Sequence, residues 1–251
     1  MSRFAVVLLV VLSFGAFAQA PYEPHSGQAG KDVVWVPTPQ VTVDRMLDMA
    51  RVGPEDFVMD LGSGDGRLVI SAAKRGASGL GVEYNPDMVA LARRNAEKEG
   101  VAGRAQFVKA DLFETDFSRA TVITLFLLTD LNIRLRPRLL ALRPGTRIVA
   151  NTFNIGDWAP DQTDEISDID GCKYSWCVVH LWIVPAKVEG TYRTRLGEVT
   201  LTQKYQKLSG TVSSNGWSAP LAGKVLGEEV SFVFDSQQYF GRVKDGVLEL
   251  R

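Results

Sequence analysis

From Asp60 to Arg67 the chain reads Asp-Leu-Gly-Ser-Gly-Asp-Gly-Arg, an acid followed by glycine at every second position. An apolar run ending in Val58 and Met59 precedes it, and a helical apolar pattern from Leu68 to Arg75 follows. Strand, glycine turn and helix in that order form the usual seat of a nucleotide-type cofactor. Glycine admits positive φ and lets a ligand come close where a Cβ would clash. The spacing narrows the ligand. A dinucleotide fingerprint, G-x-G-x-x-G, needs glycine at position 67, where Arg67 stands, and no G-K-[ST] closes the segment as in a P-loop.

Two more acids follow in order. Gly79 to Asn85 reads as the next strand, with Glu83 at its end. An acid about 20 residues past the glycine turn accepts hydrogen bonds from ribose hydroxyls. Gln106 to Leu112 reads as a third strand carrying Asp111 at its end. A glycine-rich turn without a ligand would give no reason for Asp60, Glu83 and Asp111 to sit at successive strand ends.

From Val33 to Pro185 the chain resembles the class I S-adenosylmethionine (SAM) methyltransferases. The resemblance is to a bacterial branch similar to the mitochondrial lysine methyltransferases that modify the c-ring protein of ATP synthase and the adenine nucleotide translocase. It rests on Val36-Pro37-Thr38, Asp60 to Arg67, Gly81 to Pro86, Asp111-Leu112-Phe113, and Gly156-Asp157-Trp158 with Pro160. It implies SAM as cofactor. It places Asp60, Gly62 and Asp65 toward the methionine end, with Ser63 also at the cofactor and Gly64 and Gly66 permitting close backbone approach. Glu83 would hold the ribose, with Asn85 flanking it, Tyr84 would also contact the cofactor, and Asp111 and Leu112 would hold the adenine. The loop after the fourth strand, with Thr129, Asp130 and Asn132, would face the transferred methyl. That loop lacks the [DNS]-P-P-[YFW] of nucleic-acid amino-methyltransferases, which disfavours base methylation. No catalytic base is forced by the sequence. Transfer to a neutral amine proceeds largely by positioning, so a protein lysine is compatible as acceptor. A binding module without turnover and a small-molecule N- or O-methyltransferase are the competing readings.

The elements that must position these residues follow from the pattern. Val41 to Val52 has a helical period, Pro86 opens a helix that Gly100 stops, and Ala120 to Leu128 suits a central buried strand. Leu131 to Leu142 is amphipathic, with a kink or break expected at Pro137. Thr146 to Phe153 reads as the fifth strand, residues 161–170 as an acidic edge, and Ser175 to Val184 as the last strand. This alternation predicts a doubly wound, mostly parallel seven-strand α/β sheet. Residues 187–251 show short apolar pieces separated by turns such as Ser214-Asn215-Gly216, an antiparallel meander or small barrel docked on the first unit.

The 251 residues, 45% hydrophobic, suffice for one full core and a smaller one. Arg3, the apolar run from Phe4 and the Ala16-Phe17-Ala18 site read as a secretory signal (residues 1–18). A flexible leader over 19–32 and a methyltransferase domain over 33–186 would follow. Export to the periplasm or outside is expected, with an uncleaved membrane anchor as the alternative. Phe4 to Ala18 is shorter than the roughly 20 residues that span a bilayer. Export suggests a cell-envelope protein as acceptor. The mature chain carries a small net negative charge and no basic run, which disfavours nucleic acid as a partner. Cys172 and Cys177 suit either a local disulfide or two free thiols, and two thiolates alone make a poor zinc site, so no metal is expected. His180 reads as a core histidine. Of Trp35, Trp158, Trp176 and Trp182, Trp158 is the one expected at the acceptor, because ligands bind beyond the carboxyl ends of the strands.

Overall fold

The structure is a computed structural model describing residues 22–168, 171–174, 176–244 and 246–251. The expected signal segment and its cleavage site lie outside the described residues.

Helix α1 (Gln40–Met49) leads into strand β1 (Phe57–Leu61), whose side chains are almost all buried. The chain then alternates through α2 (Arg67–Lys74), β2 (Ser78–Glu83), α3 (Pro86–Lys98), β3 (Ala105–Lys109), β4 (Val122–Leu125), α4 (Thr129–Leu139) and β5 (Arg147–Asn151). Strands β6 (Gln162–Glu165) and β7 (Val178–Ile183) complete a seven-stranded sheet of order β3-β2-β1-β4-β5-β7-β6. The first five pair in parallel, and β7 runs antiparallel to both β5 and β6. This is the doubly wound sheet of a class I methyltransferase. The order reverses beside β1, so the ends of β1 and β4 open a crevice where ligands bind in such sheets.

Local chemistry sets the boundaries. Asn85 caps α3 by accepting from the Asp87 N–H at 2.9 Å, and Pro86 fills the first helical position. Helix α4 begins two residues earlier than its apolar pattern suggested and is not broken at Pro137. Proline withdraws one N–H, and in the last turn this leaves little helix to disrupt. The expected long last strand is shortened to Val178–Ile183, with Cys177 just before it bridged to Cys172; Ser175, its expected start, lies outside the described residues. Both cysteines are buried.

The second sheet comprises β8 (Gly190–Thr194), β9 (Gly197–Lys204), β10 (Lys207–Ser214), β11 (Trp217–Leu226), β12 (Glu229–Phe234), β13 (Gln237–Lys244) and β14 (Val247–Leu250). All neighbours are antiparallel and in chain order, and β14 returns against β8 to give a nearly closed barrel. Leu208-x-Gly210-x-Val212 and Leu221-x-Gly223-x-Val225 repeat one pattern. The glycine sits where strands cross closest: a Cβ at Gly210 would lie 1.8 Å from the Thr200 carbonyl oxygen.

The barrel docks through the β9–β10 and β11–β12 turns. The Tyr205 hydroxyl donates to Asp157 Oδ1 at 2.9 Å and its ring stacks on Trp158 at 6.0 Å. Gln206 Nε2 donates to the Ala159 carbonyl at 2.6 Å, and the Ala186 N–H to that of Gly227 at 2.7 Å.

Candidate functional site

A cavity of about 380 Å³ opens at the carboxyl ends of β1, β2, β4 and β5. Asp60, Gly62, Ser63, Gly64, Asp65, Glu83, Tyr84, Asn85, Asp111 and Leu112 all line it. Gly66 does not. It takes φ 85° as the N-cap of α2, and a Cβ there would lie 2.6 Å from Phe107 Cζ. Its role is helix-to-sheet packing, a correction to the expected ligand approach. Gly64 (φ 52°) does form the floor, with a Cβ excluded by the Trp35 indole at 2.5 Å.

The four acids differ in environment. Asp60, at the end of β1, is buried and accepts from Thr124 Oγ1 at 2.7 Å. Burial, reinforced by the nearby charges of Glu83 and Asp65, pushes its carboxyl up to about 7. Asp65 is held by Arg67, whose Nη2 lies 2.6 Å from Oδ2. The same guanidinium donates to the Thr38 carbonyl at 2.6 Å, tying the Val36-Pro37-Thr38 segment to the glycine turn. Glu83 ends β2, with Oε2 accepting from the Gly64 N–H and Oε1 from the Asn85 N–H, each at 2.9 Å. Both oxygens are thereby aimed and retain lone pairs for ligand hydroxyls. Asp111 lies two residues beyond β3, its Oδ1 accepting from the Phe113 N–H at 2.8 Å. The Lys31 ammonium occupies Oδ2 and holds the carboxyl below its usual range.

The opposite end of the cavity is apolar: Phe126, Leu127, Leu128, Leu131, Phe153 and Trp176. Phe126 and Phe153 stack at 6.1 Å across the loops that follow β4 and β5. Asn132 clamps these loops together, its Nδ2 donating to the carbonyls of Leu127 at 3.2 Å and Phe153 at 3.3 Å. It is fully buried and does not line the cavity. Thr129 and Asp130 lie in the first turn of α4, not in a loop, and also stand outside the cavity. Trp158 is fully buried between Trp182 and Tyr205, away from the cavity. Its place at the acceptor is therefore corrected: it anchors the barrel. Trp35 and Trp176, expected as packing residues, line the cavity instead. No polar motif marks this end in the sequence. The available signal is a cluster of apolar residues at the ends of β4 and β5. His180 is a structural histidine, bonded to Thr163 Oγ1 at 2.9 Å and kept neutral by burial.

The donor set fits SAM. Acids at one end suit its cationic ammonium and sulfonium, a glycine cradle a Cβ would fill admits close approach, and an aimed carboxylate suits the ribose. Because Glu83 is aimed by two backbone N–H groups, Glu83→Ala is expected to weaken SAM binding by about 1–3 kcal/mol. Calorimetry checks this, and unchanged affinity would remove Glu83 from the site.

Sheet order and cavity together define a class I SAM-dependent methyltransferase. Residues 60–162 match the model of the ANTKMT methyltransferase domain. A protein-lysine N-methyltransferase of Saccharolobus islandicus is 46% identical over 150 residues, 59% of this chain and 89% of that protein. The chain belongs to this family. The Rattus norvegicus lysine N-methyltransferase named for the C-subunit of ATP synthase is 36% identical over 51% of this chain and 60% of its own length. A Salinibacter ruber protein described as an RNA methyltransferase was solved with S-adenosyl-L-homocysteine (SAH). It is 47% identical, covers 61% of this chain and 96% of its own, and has a TM-score of 0.56.

Proposed function

We propose that this methyltransferase acts on the ε-amine of a protein lysine. The observation that carries the reading is the apolar end of the cavity. Phe126, Leu128, Phe153 and Trp176 form a slot suited to the methylene stem of lysine, whose amine would meet the cofactor's methyl. The names of the Saccharolobus and rat relatives support the same acceptor.

When bound, SAM supplies an electrophilic methyl on a sulfonium. The protein's part is positional. An apolar wall disfavours the charged ammonium and so favours the neutral, nucleophilic amine. Phe126 and Phe153, fixed by the Asn132 clamp, exclude water and align the stem. Asp60, Glu83 and Asp111 would hold SAM, which would supply the methyl and leave as SAH, while the acceptor amine would give up one N–H proton to solvent. The cavity carries no histidine among the described residues, consistent with catalysis by alignment.

We also propose export and an envelope protein as acceptor. The N-terminal signal pattern supports this, and the Cys172–Cys177 bridge suits an oxidising compartment. The mature protein is expected to begin at Gln19 and to fractionate outside the cytoplasm. N-terminal sequencing that finds Met1 on cytoplasmic protein would overturn it.

The test of the acceptor uses methyl-labelled SAM with an envelope extract, followed by hydrolysis and amino-acid analysis. Label in methyl-lysine is the expected result. Label in nuclease-sensitive material would favour the second reading, RNA, which the Salinibacter description motivates. Label confined to small molecules would also sink the lysine assignment.

A further inference from the structure

Residues 22–32 are not a detached leader. Every residue from Gln28 to Trp35 lines the cofactor cavity. The backbone bonds of this segment close on itself. The Gly27 N–H donates to the Trp35 carbonyl at 2.8 Å, the Trp35 N–H to that of Gln28 at 2.9 Å, and the Gly30 N–H to that of Val33 at 3.1 Å. It is a small hairpin laid over the cavity, not an extra strand of the sheet.

Side chains attach it to the body. Gln28 Nε2 lies 3.7 Å from Met88 Sδ, and the Trp35 indole rests on Gly64. The Lys31 ammonium bonds the Asp111 carboxylate and stands 4.8 Å from the centre of the Tyr84 ring. Beyond Trp35 the chain is pinned where Arg67 bonds the Thr38 carbonyl. A hairpin bonded to itself, pinned at one end and latched by side chains, can lift as a unit without breaking a sheet bond.

We propose that Gln28–Trp35 is a lid on the cofactor cavity, latched by Lys31 across Asp111 and Tyr84. The latch bridges two residues, Asp111 and Tyr84, that the family resemblance assigns to the cofactor. Entry of the cofactor lifts it, and reclosure retains the cofactor. A partly exposed ion pair contributes little to stability, which suits a contact that must open at each turnover. The inference rests on the cofactor reading, and SAH serves as the probe.

Trypsin applied to the full chain reads the lid directly. Saturating SAH is expected to slow cleavage after Lys31 about fivefold or more relative to cleavage after exposed Lys187, since closed segments resist cutting. Stopped-flow competition reads the latch. Lys31→Met should speed SAH release about threefold, and Lys31→Arg should restore the slow rate. Unchanged cleavage after Lys31 with SAH bound overturns the lid. An SAH release rate in Lys31→Met equal to the wild type overturns the latch. Failure of the wild type to bind SAH at all is a different failure, that of the cofactor reading.

Discussion

Replacing Asp60 with asparagine is expected to stabilise the ligand-free protein at pH 8 and to weaken its grip on SAM. Asp60 is buried and its carboxyl is raised from 3.8 to about 7. Between those values the folded state holds a proton that the unfolded state has lost. Stability from this group is therefore complete below about pH 4 and is lost as pH rises through 7. The full penalty has a ceiling of about 4 kcal/mol. Asparagine keeps an oxygen for the Thr124 hydroxyl and carries no charge to bury. Its advantage in melting temperature over the wild type should grow from pH 4 to 7 and then level off. Binding runs the other way. A cationic ligand beside Asp60 favours the carboxylate, so wild-type affinity for SAM should strengthen from pH 6 to 8 with release of a proton. The variant should bind about 1–3 kcal/mol more weakly at pH 8, without that pH dependence. Thermal melts across pH and calorimetry in buffers of different ionisation enthalpy measure both. An advantage equal at pH 4 and pH 8 would show that Asp60 is not the titrating group.

Ending the chain at Ala186 is expected to cost the first domain its stability, not merely a substrate-gripping accessory. No cofactor motif lies beyond Lys187, which by itself would permit truncation. The contacts argue otherwise. Truncation removes Tyr205 from the face of Trp158 and Gln206 from the Ala159 carbonyl. It also removes Tyr205 and Lys204 from Asp157, whose carboxyl those groups hold at about 2. Arg136 on α4 bonds the same Asp157 at 2.5 Å, so the loss reaches the helix that carries Leu131 to the cavity. Uncovering a buried tryptophan and its neighbours is worth on the order of 3–5 kcal/mol, a large share of typical domain stability. Tyr205→Ala in the full chain should reproduce part of this, about 2 kcal/mol, seen as a lower midpoint in urea. A truncated protein that melts like the first transition of the full chain would refute the argument.

The cofactor half of the site is legible in the sequence because its residues obey local rules. Glycines repeat within one turn, and acids end successive strands, so Asp60, Glu83 and Asp111 are marked by neighbours in the sequence. The acceptor half is assembled from segments far apart in the chain: Phe126 and Phe153 meet because β4 and β5 lie side by side, and Trp176 joins them from the segment before β7. Apolar side chains carry no sign of whether they face a ligand or a core, which is why Trp158 is not where its loop position suggests. Its indole packs under a turn whose partner, Tyr205, comes from the second sheet. Composition hides the N-terminal lid. Pro, Gly and polar residues mark an absence of regular structure, and a self-bonded hairpin needs none.

The edges of the two sheets bear on how the protein behaves when concentrated. A free strand edge offers unpaired backbone groups to another chain and invites aggregation. The second sheet narrows that hazard by bringing β14 beside β8, its two unpaired edges facing one another. The first keeps two edges, β3 and β6, and at β6 the strand is only four residues, Gln-Thr-Asp-Glu, mostly exposed and polar. Arg45 holds Asp164 at 2.5 Å, placing a charged pair along that edge. Such a strand is too short and too well solvated to template a neighbour. Threonine and glutamate at 163 and 165 thus act as gatekeepers. Apolar replacements there would leave the fold in place while shifting the protein from a dispersed solution toward intermolecular β-pairing.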